Sequence, residues 1–397
     1  MKRKMSMVLA AAMVAASLAG CGGSKAAQET TKAAAETTAA AAQAAAAETT
    51  AAPAETEAAA EPLKVVYLVN GSLGDKGFYD SAASGIKMME EKLGAETKIV
   101  EMGRDETSYE GNYLDVSEQD WDLIVSGTWS VKELVEQVAA EFPEKNHLFF
   151  DGEIDFSKVT EGNAMGINYY ANQGSFMAGV LAAKMFESGD ARIDTSKKVL
   201  GFVGSMDTAN INDFLVGYLE GIKYVDPEIK VLTSYVGSFE DVPKCMEMTT
   251  QLYNQGAQVV FAPASQSILG AATAAADADK YLIACDQDLY AQLAESDPEM
   301  AATVLSSSLK KVGESLYTAV EGLLDGSMEM GQNYFLGLDS GAVGLAKNDN
   351  YMALVPENIR AEIDEIEGKV ISGEIVVGTA FEMTTDEVAA LRDGMKP

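Results

Sequence analysis

The residues able to do chemistry in this chain collect just beyond short apolar runs. Cys285-Asp286-Gln287-Asp288 ends one such run. Alternate side chains on extended backbone point the same way, so Asp286 and Asp288 are expected to present two carboxylates together. That pair suits the hydroxyls of a sugar or a metal ion, although two carboxylates without further ligands make a poor cation cage; the alternative is a solvated loop. Lys310 follows Leu305-Ser306-Ser307-Ser308-Leu309. It would set an ammonium beside Asp286, because a buried lysine needs an opposite charge. Asn70, Asp75, Phe78, Tyr79 and Asp80 follow the run Leu63–Val69 and are expected beside a bound molecule. The competing assignment there is structural, with Asp75 capping a helix and Phe78 in the core. Phe214 begins a helical stretch in which Gly217 and Gly221, four apart, leave a flat face for close packing. It either meets a ligand or packs inside.

Catalysis has little to build on. The lone histidine, His147, adjoins an apolar run with no cluster of metal-ligating residues around it, so a structural role and no metal site are expected. The chain has no nucleophile–base pair and no Gly-rich phosphate loop, so neither catalytic residues nor a cofactor are predicted. Cys245 and Cys285 are expected as two buried thiols, although an exported chain permits one disulfide.

The elements that must position these residues alternate in type. Strand-like runs at 63–69, 97–102, 123–126, 147–150 and 164–167 are separated by helical patterns at 78–93, 110–116 and 131–141. The pattern restarts after a long predicted helix at 172–187. Strand runs at 199–203, 230–236, 259–262 and 281–285 then alternate with helical stretches at 211–225, 242–254 and 268–278. This predicts an α/β protein with two doubly wound parallel sheets. The tail offers strand runs at 301–307 and near Tyr334 and Val343, and helices at 312–324 and 356–372. These pieces are expected to cross between the lobes, giving lobe 1 as 63–171 plus about 287–325 and lobe 2 as 172–286 plus about 326–397. A ligand would lie in the crevice between them, beyond the carboxyl ends of the strands.

The 397 residues, 47% hydrophobic, suffice for two cores. Residues 1–62 stand apart. Lys2, Arg3 and Lys4 precede an apolar run from Met5 to Ala19 that ends in Leu18-Ala19-Gly20-Cys21. This is an export signal too short to span a bilayer, and its close resembles a lipobox, in which Cys21 would be lipidated. Residues 22–62 are Ala, Thr, Glu and Gln with almost nothing to bury. They predict a tether reaching roughly 35 Å as a flexible coil. The net charge of −32 falls almost wholly on residues 63–397, since the first 62 residues hold five Lys or Arg and six Glu. An acidic body of this kind repels nucleic acid and anionic lipid.

Taken together, DKGFYDSA (75–82), NQGSFMAGVLAA (172–183), LGFVGSMD (200–207) with Phe214 and Gly217, YVGSFED (235–241), CDQD (285–288) and SSLKKV (307–312) resemble the basic membrane protein family. These are lipoprotein substrate-binding subunits of ABC importers, best known for purine nucleosides. The resemblance runs collinearly through 63–397. It implies the type I periplasmic binding protein fold, two Rossmann-like lobes closing on a ligand. It further implies a stacking role for Phe214, a ribose-binding role for Asp286 and Lys310, and for Asp75 the acidic position of a D-K-G-F-N motif.

This sequence departs from that pattern at three places. Tyr79 replaces the motif's Asn, Gly71-Ser72-Leu73-Gly74 lacks the aromatic and acidic residues often seen there, and Ala264-Ser265-Gln266-Ser267 replaces a Gly-rich loop. All three lie where a base would be read, so a nucleoside-like or sugar-containing ligand is expected, with Trp129 as a compensating aromatic wall. A monomer anchored outside the membrane and docking on an ABC permease is the expected setting. A ligand sensor, or a nucleoside-acting enzyme built on Asp286 and Asp288, are the competing classes.

Overall fold

The computed structural model describes residues 61–397. The expected export signal with Cys21, and all but the last two residues of the expected tether, lie outside the described residues. Strand β1 (Lys64–Val69) is buried along five of its six residues, as a parallel strand covered on both faces must be. It leads through α1 (Phe78–Met88) to β2 (Glu96–Glu101), α2 (Tyr109–Ser117), β3 (Leu123–Gly127), α3 (Lys132–Glu141), β4 (Asn146–Phe150) and β5 (Ala164–Tyr169). Helix α4 (Ala171–Lys184) opens the second lobe. There follow β6 (Val199–Gly204), α5 (Ala209–Val225), β7 (Lys230–Tyr235), α6 (Val242–Asn254), β8 (Val259–Phe261), α7 (Ile268–Ala278), β9 (Tyr281–Asp286), α8 (Leu289–Leu293), α9 (Pro298–Ala301) and β10 (Val304–Lys310). The chain ends with α10 (Val312–Asp325), β11 (Asn333–Leu336), β12 (Val343–Leu345) and helices packed on the second lobe.

Two six-stranded sheets result, ordered β11-β5-β4-β3-β1-β2 and β12-β10-β9-β8-β6-β7. Every pairing is parallel except that of β12 with β10. In each sheet the winding reverses at the first strand, β1 or β6, and at such a switch point the loops diverge and leave a crevice at the strands' carboxyl ends.

The tail corrects the expected lobe boundaries. β10 joins the second sheet beside β9, and β11 joins the first beside β5. Residues after Asp286 therefore stay in the second lobe through Lys310, and residues 312–336, with α10 against α1, belong to the first. The physical reason is that the α8–α9 connection returns β10 alongside its predecessor β9, as α7 returns β9 beside β8. The strand also starts three residues later than expected, because Asp297 accepts from the Met300 amide and, with Pro298, starts α9.

His147 is buried with neither ring nitrogen hydrogen-bonded, and burial lowers its pKa to about 4. Cys245 and Cys285 are free and buried. Among the described residues, no helix is long and apolar enough to cross a membrane.

Candidate ligand-binding site

Loops leaving the carboxyl ends of both sheets line a cleft with about 1010 Å³ of atom-free space, its mouth included. Small-molecule pockets run up to about that size. The first lobe contributes Asn70 after β1, Thr128 and Trp129 after β3, and Asp151 after β4; the second contributes Ser205 after β6, Ser265 after β8, Asp286 and Lys310. Four of these, Thr128 (φ 77°), Asp151 (60°), Ser265 (49°) and Asp286 (67°), hold positive φ without being glycine. Such conformations cost on the order of 1–3 kcal/mol each and concentrate at ligand sites. Among the described residues only two others share this feature, so the strain is concentrated where strand ends turn into the cleft.

Lys310 is the electrostatic centre. It is buried, and its ammonium donates to Asp151 Oδ1 across the cleft at 2.8 Å. Burial works against its charge, but Asp151 and Asp286 outweigh that and hold the ammonium above the ordinary lysine range. Asp151 also accepts from Asn210 of the second lobe at 3.4 Å. Asp286 stands near the same charge without taking its hydrogen bond. Burial pushes its carboxyl up to about 6, against the pull of Lys310 and with the repulsion of Asp151 and Asp75. The Lys310 Nζ lies 5.5 Å from the Phe78 ring centroid and 5.1 Å from that of Phe214, so two aromatic faces from opposite lobes flank it.

The predicted residues divide on inspection. Asn70, Phe78, Tyr79, Trp129, Phe214, Asp286 and Lys310 all line the cleft. The Asn70 amide donates to Thr128 and Ser130 (2.6 and 3.0 Å), and Trp129 stands 53% exposed at the cleft's edge. Tyr79 offers its ring rather than its hydroxyl, which donates to the Asn70 carbonyl at 3.1 Å; burial pushes the phenol up to about 12. Asp75 is not in the lining. Its carboxylate accepts from the amides of Gly77, Tyr79 and Asp80, which makes it the cap of α1. Asp80 likewise accepts from Gly74 and Lys76.

One expectation of geometry fails and another is refined. Lys310 stands near Asp286 but gives its hydrogen bond to Asp151, which reaches it directly from the first lobe. Asp288 does not stand beside Asp286: positive φ at Asp286 ends the extended alternation, and Asp288 caps α8 and accepts from Asn348 at 2.7 Å. Among the described residues, no group of acidic, His and Cys side chains could hold a metal.

Asp151, Arg104 and Phe239 line the cleft without having been singled out. Asp151 carried a usable signal, since it directly follows the apolar run His147–Phe150, as Asn70 follows its own. Arg104 and Phe239 sit two or more residues past their strands, where no local pattern points inward.

Residues 63–378 match the family model described as ABC transporter substrate-binding protein PnrA-like. The chain belongs to that family. Basic membrane protein A2 of Borrelia garinii subsp. bavariensis is 28% identical over 317 residues, covering 79% of this chain and 88% of that protein. An ABC transporter solute-binding protein of Aeropyrum pernix K1 superposes with TM-score 0.70 at 23% identity, over 84% of this chain and 98% of the other. The arabinose-binding protein AraP of Geobacillus stearothermophilus does so with TM-score 0.55 at 12% identity, over 74% and 99%. The fold is thus that of type I periplasmic binding proteins. This PnrA-like protein is a solute-binding component of an ABC transporter and not an enzyme. Its partners are a small molecule and the transporter itself.

Proposed function

We propose that this chain is the lipid-anchored, extracytoplasmic subunit that delivers a purine nucleoside to an ABC importer. The observation that carries this reading is the adjacency of two kinds of group in the cleft. Lys310, Asp151 and Asp286 offer donors and acceptors for the vicinal hydroxyls of a ribose, and Phe78 and Phe214 beside them offer faces for a flat base. Stacking contributes on the order of 1–3 kcal/mol and a charge-assisted hydrogen bond about 1.5–3. Two of each total about 5–12 kcal/mol, a range that spans the roughly 8 kcal/mol of micromolar binding before association costs are subtracted.

The test is calorimetry on protein refolded to strip carried-over ligand, titrated with purine and pyrimidine nucleosides, free bases and simple sugars. One nucleoside per chain is expected at micromolar affinity or tighter. A response to sugars alone would replace the nucleoside by a sugar ligand on the same scaffold. Anchoring rests on Cys21 behind the export signal. Cells fed labelled fatty acid should label the wild-type protein and not Cys21→Ala; equal labelling would remove the anchor from this reading.

A further inference from the structure

Arg104 enters the cleft from the loop after β2 and is held there by both lobes. Its Nε donates to Glu240 Oε1 of the second lobe at 3.0 Å, and its Nη1 to the Tyr79 hydroxyl of the first at 3.4 Å. The guanidinium carbon lies 5.4 Å from the Tyr79 ring centroid and 6.0 Å from that of Phe239. Among the described residues Nη2 has no hydrogen-bond partner, and 44% of the side chain remains exposed. The backbone is cleared for this arrangement, because a Cβ on Gly71 would stand 2.8 Å from Tyr79 Cε2 and 3.3 Å from Arg104 Cζ.

A chain of contacts leads from the charged centre to this group. Lys310 is 5.5 Å from the Phe78 ring, Phe78 is 5.4 Å from the Tyr79 ring, and Tyr79 is 5.4 Å from the guanidinium. Arg104 is thus separated from the sugar-binding groups by an aromatic floor, where the far edge of a stacked base would fall.

A guanidinium only donates, and its planar fork is best matched by two adjacent acceptors. A formal anion is disfavoured here, since Glu240 already offsets the charge and Glu106, Asp151 and Asp286 line the same cleft. A neutral edge with neighbouring acceptors fits. A 6-oxopurine presents such an edge in O6 and N7, whereas a 6-aminopurine sets an amino donor beside N7 and would oppose N–H to N–H. Building on the nucleoside reading above, we infer that Arg104 is a specificity-determining residue that makes this cleft prefer 6-oxopurine over 6-aminopurine nucleosides. Because Glu240 belongs to the second lobe, the fork is aligned only when the lobes are together.

The experiment is calorimetry of the whole refolded protein with inosine and adenosine, for wild type, Arg104→Met and Arg104→Lys. Wild type is expected to bind inosine at least about ten-fold more tightly. Both variants should bring the ratio to within about two-fold through loss of inosine affinity, lysine included because it keeps the charge and loses the fork. Circular-dichroism spectra and melting temperatures like those of wild type report that the variants fold. A wild-type ratio near one, or a ratio unchanged by the substitutions, overturns the role of Arg104 while leaving the nucleoside reading intact. No nucleoside binding by wild type overturns both.

Discussion

Asp286 illustrates the cost of preparing a polar site before its ligand arrives. Burial is the main force raising its carboxyl to about 6, and Lys310 only partly counters it. A raised carboxyl pKa stabilises the fold most below the ordinary value near 4, and that contribution is lost as pH rises through about 6. Unliganded Asp286→Asn should therefore be more stable than wild type by about 1–3 kcal/mol at pH 8, with the gap closing toward pH 4. Thermal melts across that range check this, and a gap that widens on acidification would refute it. Ligand affinity should move oppositely. The substitution should cost at least about ten-fold, and wild-type affinity should weaken below pH 6 as the accepting carboxylate is protonated.

At the scale of elements, the placing of Phe214 depends on how closely α5 lies on α4. A Cβ at Gly217 would run into the Asn172 carbonyl and the Ser175 hydroxyl, and one at Gly221 into the Phe176 carbonyl. Gly217→Ala should cost about 1–3 kcal/mol by overpacking. Gly111→Ala in α2, where a Cβ meets nothing within 4 Å, should gain about 0.5–1 kcal/mol. Denaturant titrations of the two variants test the contrast, and equal effects would mean that the α4–α5 contact yields freely. This packing was legible beforehand, because glycines four apart flatten one side of a helix wherever it lies. The role of Asp75 was legible only as a pair of options, since a carboxylate just before a helix serves equally as cap or ligand. Its three amide contacts decided for the cap.

At the scale of the molecule, the lobes are tied across the cleft by Lys310–Asp151, Arg104–Glu240, and two glutamines of the second lobe. Gln287 and Gln292 donate to the carbonyls of Gly77 and Lys76 at 2.6 and 3.0 Å. Neither glutamine lines the cleft, so Gln287→Ala with Gln292→Ala should speed ligand release about ten-fold with little change in association. Stopped-flow kinetics measure both rates, and an unchanged release rate would mean that these bonds do not hold the lobes closed. The sequence by itself determined the alternating elements, the doubly wound class and the strand-end positions of Asn70, Asp286 and Lys310, because periodicity and strand termination are local properties. Only the tertiary structure decided which sheet takes β10 and which takes β11, that Asp288 turns away, and that Lys310 bonds a carboxylate 159 residues distant. Those outcomes arise from strand order and lobe closure, which bring together groups that no local pattern connects.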